Sequence, residues 1–171
     1  MDYSSMSIID EILQANEVYA QGFNLGHLPN PPARNLAVVA CMDARQDILQ
    51  MLGLKVGDAH IMRNAGGIVT DDVLRSLIIS HYLLFTREIM IVNHTDCGLV
   101  SFKDEELRAR LRNVTGTDSV APSHFHPFTD LEENVRHQIQ KVRSHPWLPS
   151  HIPVRGFIYD VKTGRLREVA A

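Results

Sequence analysis

Three residues in this chain have the types and spacing to hold a metal ion. Cys41 closes the run "NLAVVAC", and the only other cysteine, Cys97, lies in "NHTDCG" just past the run "EIMIV". His94 stands three residues before Cys97. Two thiolates and an imidazole aimed at one cation form a soft donor set that suits Zn²⁺ better than Mg²⁺ or Ca²⁺. Two cysteines and one histidine with a fourth position left open is a known catalytic zinc arrangement. Next to Cys41 the chain reads "CMDAR", which sets Asp43 two residues before Arg45. A carboxylate beside a metal-bound water can accept its hydrogen bond or ligate the metal itself. A guanidinium fork can hold that carboxylate ionised and oriented. The plainer alternative is that Asp43 caps the next helix and Arg45 is solvated; the adjacent Cys41 favours the first reading. Gly98 is expected to permit a sharp backbone turn and to keep a side chain out of the site.

These residues are useful together only if the fold brings them together. The apolar runs at 35–40, 59–63 and 88–93 read as buried strands. Helices are predicted from Ser7 to Ala20, over "DILQMLG" up to Gly53, after the cap Thr70, across the charged 103–112 segment, and over "LEENVRHQIQKVRSH". "GHLPNPPAR" reads as an extended loop. "VRGFIYDVKTGRLREV" reads as a C-terminal hairpin turning at Thr163 and Gly164. Strands alternating with helices predict one α/β domain spanning 1–171, with a mostly parallel central sheet flanked by helices. In such a sheet the first and third strands commonly flank the point where strand order reverses, and ligands bind there, outside the carboxyl ends of the strands. Cys41, His94 and Cys97 would converge at that point.

The bulk numbers set outer limits. With 44% apolar and 22% charged residues, the composition is that of an ordered globular domain rather than a disordered chain. A net charge of -3 gives no reason to expect a nucleic-acid partner or a membrane partner. "MDYSSMSIIDE" has no basic stretch followed by an apolar one, so no secretory leader is expected and the cytoplasm is the default compartment. Thiols stay reduced there, which argues for metal binding or plain burial over a disulfide.

"CMDAR" followed by "HTDCG", with "RNAGG" (63–67) between them, resembles the β-class carbonic anhydrases. The similarity is greatest to short bacterial and fungal members, and it runs over roughly the whole chain. The resemblance implies one Zn²⁺ per chain on Cys41, His94 and Cys97, with Asp43 and Arg45 as a catalytic dyad. It implies that Asp43 can become the fourth metal ligand in a closed state. It also places the "RNAGG" bend beside the metal, with Ala65 and Gly66 in the substrate pocket. The implied reaction is reversible hydration of CO₂ to bicarbonate by a zinc-bound hydroxide, with CO₂ and water as the small uncharged reactants. Relatives on this scaffold hydrolyse carbonyl sulfide or carbon disulfide, which is the alternative. Many members have a second glycine where this chain has Leu99. The resemblance further implies a homodimer or homotetramer, with the N-terminal helix packed on a partner subunit.

Other features are weighed against these. "RNAGG" lacks the pattern of a phosphate cradle. His124 and His126 read as solvated loop histidines, although they could bind a metal or shuttle protons. Arg63 reads as a substrate clamp or as part of a structural ion pair. A zinc-stabilised protein without turnover is a rival reading. A redox role for the two cysteines lacks a C-x-x-C motif.

Overall fold

The computed structural model describes residues 7–171, so part of the leader reading falls outside the described residues. Five strands form a single sheet: β1 (Leu36–Cys41), β2 (Ala59–Asn64), β3 (Glu88–His94), β4 (Val154–Tyr159) and β5 (Leu166–Val169). Their order is β2-β1-β3-β4-β5. All neighbours pair in parallel except β4 and β5, which form the predicted hairpin. Successive strands run from β1 to β2 in one direction and from β3 to β4 in the other. The strand order therefore reverses between β1 and β3, at the strand ends that carry Cys41 and His94.

β1 is an interior strand in which every residue is apolar. Ala37 and Val39 face α3 (Asp71–Leu84) and α5 (Leu131–Arg143), where they join Leu77, Val135 and Ile139 in the main core. Val38 and Ala40 point to the other face and pack with Ile48 of α2 (Ile48–Leu52). This period-two split buries both faces, and each fully buried Val, Leu or Ile contributes about 1.5–3 kcal/mol.

The helix ends follow local chemistry. Asp47 caps α2 by accepting from Gln50 N–H at 3.1 Å, and Gly53 ends it in the left-handed region at φ 63°. Thr70 and Asp130 cap α3 and α5. Ser7 and Asp10 form a capping box on α1 (Ile8–Gln21). The predicted apolar face of α1 exists, but no residue of α1 is buried within the chain. α4 (Asp104–Thr115) buries nothing either, as its charged sequence foretells. Among the described residues, no helix is long and apolar enough to cross a membrane.

Candidate metal centre

Cys41 ends β1, His94 ends β3, and Cys97 follows two residues of turn. The two cysteine sulfurs and a ring nitrogen of His94 all lie within 4.8 Å of one another, and all three residues are buried. The predicted convergence is therefore present. It follows from parallel β1–β3 pairing in which Ala40 sits beside Val92, so that both strand ends open on the same crevice.

The donor set is ready for a cation. His94 Nδ1–H donates to Thr95 O at 2.8 Å, which leaves the lone pair on Nε2. Nε2 is buried with no hydrogen-bond partner in the chain. A buried imidazole nitrogen without a partner, facing two cysteines, fits a metal ion. Thr95 is itself fixed to the end of β4: its N–H donates to Tyr159 O at 2.9 Å, and its Oγ1 accepts from Val161 N–H at 3.1 Å.

Contact between the two thiols drives their pKa values in opposite directions. Hydrogen bonding from Cys97 lowers Cys41 to about 4, against the opposing effect of burial. The same contact with Cys41, reinforced by burial, pushes Cys97 strongly upward. Burial disfavours the charged form of His94, yet the neighbouring Cys41 thiolate outweighs it and raises its pKa.

Asp43 and Arg45 form a two-pronged pair at the mouth of the site. Arg45 Nε donates to Asp43 Oδ1 at 2.9 Å and Nη2 donates to Oδ2 at 2.7 Å, while the Arg45 backbone N–H also donates to Oδ1 at 2.9 Å. The Arg45 side chain holds the Asp43 carboxyl well below the usual carboxylate range. Asp43 Oδ2 is also 3.7 Å from His94 Nε2, so the carboxylate borders the metal position. Its side chain is 18% exposed and that of Arg45 50%, which makes this edge the solvent-facing side of an otherwise buried cluster. Asp43 does not cap α2; Asp47 does.

Gly98 corrects one expectation. It does not adopt positive φ, and a Cβ added there would meet nothing within 4 Å. The sharp turn is made by Asp96, at φ 56°, a conformation that aspartate tolerates better than most residues. Its carbonyl then accepts from Arg45 Nη2 at 3.3 Å, tying the first motif to the second.

Residues 65–67 form a short 3₁₀ turn. Ala65 is exposed, whereas Gly66 is buried and donates its N–H to Cys41 Sγ at 3.3 Å. Leu99 occupies the space that a Cβ on Gly66 would need, so this chain's glycine and leucine are complementary. Leu99 joins Ile68, Phe102 and Phe128 in an apolar wall around the two cysteines.

Arg63 makes no ion pair among the described residues. Its Nε donates to Cys41 O at 2.9 Å and its Nη2 to Asp43 O at 2.7 Å, which fixes the backbone of the first motif. His124 pairs with Asp104 at 3.2 Å on the surface, and neither it nor His126 belongs to the cysteine–histidine cluster. Sequence reasoning missed the buried amides Asn93, Asn134 and Gln138, which link α5 to this bend. The signal was available: an amide ends an otherwise apolar strand, and two amides four apart share a face of α5 with Val135 and Ile139.

Comparison with known proteins agrees with this geometry. A family model described as carbonic anhydrase matches residues 36–166. Beta-carbonic anhydrase 1 of Mycobacterium tuberculosis is 46% identical over 164 residues, covering 96% of this chain and 99% of the relative. The crystal structure of a carbonic anhydrase from Streptococcus mutans superposes with a TM-score of 0.91 at 46% identity, over 96% of this chain and 99% of that one. A carbon disulfide hydrolase of Acidithiobacillus thiooxidans is 36% identical over 155 residues, covering 80% of this chain and 78% of the relative. With the family model spanning most of the sheet and the metal-site geometry in place, this chain belongs to the β-carbonic anhydrase family.

Proposed function

We propose that the protein catalyses the reversible hydration of CO₂ to bicarbonate, using one zinc ion held by Cys41, His94 and Cys97. The observation that carries this reading is the group of three buried ligands with a paired carboxylate at its open edge. A structural zinc site would use four protein ligands, whereas here the nearest carboxylate is engaged by Arg45. When bound, zinc supplies a Lewis acid that makes water a nucleophile. Asp43, kept ionised by Arg45, would accept a hydrogen bond from the attacking water and orient its lone pair toward the carbon of the substrate. Ala65 and Gly66 form part of the pocket wall, and the apolar wall that includes Leu99 suits a small uncharged substrate. Overall, CO₂ and water give bicarbonate and one proton, which passes to buffer.

Should Arg45 release it, Asp43 is close enough to become the fourth ligand and shut the site. The exposed apolar face of α1 supports a homodimer or homotetramer, and the thiolate ligands suit the reducing cytoplasm. The carbon disulfide hydrolase relatives support a second substrate reading on the same residues. The test is metal analysis of purified protein together with turnover of CO₂, carbonyl sulfide and carbon disulfide side by side. About one zinc per chain with CO₂ as the preferred substrate is the expected result. Turnover of the sulfur compounds alone would transfer the assignment to them.

A further inference from the structure

Three buried side-chain amides form a continuous hydrogen-bonded chain that leaves the glycine bend and returns to it. Asn93 Nδ2 donates to Gly66 O at 2.8 Å and to Gly67 O at 3.3 Å. Asn134 Nδ2 donates to Asn93 Oδ1 at 2.8 Å, and Gln138 Nε2 donates to Asn134 Oδ1 at 2.8 Å. Gln138 Oε1 then accepts from Val69 N–H at 2.9 Å. All three side chains are buried.

The direction of this chain is fixed at both ends. The carbonyls of Gly66 and Gly67 can only accept, and the Val69 N–H can only donate. Each amide between them therefore has one orientation that satisfies its neighbours, and bonds aligned in this way polarise one another. The chain starts at residue 66 and returns at residue 69, passing through β3 and α5. It is a staple across the bend.

The held bend carries the Gly66 N–H that donates to Cys41 Sγ. Gly66 sits at φ 82° and Gly67 at φ 62°, a region that glycine leaves readily. The Asn64 side chain also spans the bend, accepting from Ile68 N–H and donating to Ile68 O, both at 2.8 Å, whereas the amide chain is what restrains the carbonyls of Gly66 and Gly67 themselves. We infer that Asn93, Asn134 and Gln138 are positioning residues which lock the Gly66 N–H onto the Cys41 thiolate and so set the electron donation of that ligand to the metal. The inference rests on the metal centre proposed above. An N–H donor draws charge from a thiolate, which weakens donation and raises the energy of thiolate-to-metal charge transfer.

The test uses the full chain loaded with cobalt(II), whose thiolate charge-transfer band reports on the Cys41 sulfur. Asn134→Leu keeps the side-chain volume close but removes the donor to Asn93. Its band should move to lower energy, and cobalt release to a chelator should change about 10-fold, the usual range for groups behind a metal ligand. Gln138→Met, one amide further from Gly66, should give a smaller shift of the same sign, and it serves where Asn134→Leu does not fold. Ile139→Val, on the same helix but in the apolar core, should loosen packing without moving the band. Variants with an unshifted band and unchanged release overturn the inference, as does an equal shift in Ile139→Val. A wild-type protein with no thiolate-to-cobalt band would overturn the metal centre itself, an outcome distinct from unshifted variants.

Discussion

At the scale of single residues, the site has no ligand to spare. Cys41, His94 and Cys97 form the only group of three or more such residues with metal-binding spacing among the described residues. Cys97→Ser should therefore lose bound zinc, as should substitution of Cys41 or His94, and metal analysis after desalting checks this. Full zinc content in Cys97→Ser would remove Cys97 from the ligand set. The thiol pair gives a second expectation. In the metal-free protein the contact between the two thiols makes the first proton of the pair easy to lose and the second hard to lose, with Cys41 lowered and Cys97 pushed strongly upward. Metal must displace the protons that this pair and His94 still hold, so zinc affinity should increase with pH across the neutral range, with at least about one proton released per zinc. Calorimetry in buffers of different ionisation enthalpy counts the protons; a value near zero would contradict the assignment. Asp43 behaves differently. Its depressed pKa keeps it anionic across the same range, and the stability from its pairing is lost only in acid, as pH falls from the ordinary carboxylate value through the depressed one. A loss of activity as pH falls through neutrality would thus not reflect protonation of Asp43. Two thiolates would cancel the charge of a bound divalent ion, so a water activated there would be less acidic than one held with three imidazoles. Activity should increase with pH above ~7, and Arg45→Ala should depress it further by freeing Asp43 toward the metal position. A flat pH–rate profile with zinc retained would exclude this.

At the scale of elements, the sheet and its first layer of helices make the site, and one glycine sets how close they come. A Cβ on Gly156 of β4 would collide with Val135 and would lie 2.7 Å from Ile139 Cδ1 on α5. Gly156→Ala should force α5 outward and destabilise the protein by about 1–3 kcal/mol, read as a lower denaturation midpoint. A midpoint equal to wild type would mean that α5 is not seated tightly. Because α5 carries Asn134 and Gln138, the same shift should reach the glycine bend. The sequence made the strands legible, because "LAVVA" and "IMIV" are apolar without interruption, and the caps Thr70 and Gly53 mark helix ends. It made the Cys41–His94–Cys97 cluster legible because both motifs follow those strands. It could not show that Arg63 would hold two backbone carbonyls, since an exposed ion pair and a carbonyl clamp look alike in one dimension. It also pointed to Gly98 for a turn that Asp96 makes. Glycine attracts that reading from composition alone, and only backbone angles separate the two.

At the scale of the whole molecule, the described chain leaves surfaces that its own core does not cover. α1 shows Ile8, Ile9, Ile12 and Leu13 to solvent, and none of its residues is buried. A helix of fourteen residues is marginal in water without a packed face, even with the Ser7–Asp10 capping box. The second face of the sheet is also thinly covered: α2 has five residues, and Leu36, Met51, Ile61 and Met90 around it are only half-buried. Contiguous apolar surface of this kind marks an association face. A second copy of the chain satisfies both features, because α1 can then bury its stripe on a neighbour rather than on its own domain. Replacing Ile9 and Leu13 together with lysine should leave the sheet and the Cys41–His94–Cys97 cluster intact, since neither residue touches them, while placing two charges in the contact. Light scattering at micromolar concentration should show dimers or tetramers for the wild type and smaller species for the double variant. If both proteins are monomeric and equally active, α1 is not an association element, and its capped, amphipathic sequence must serve some other contact.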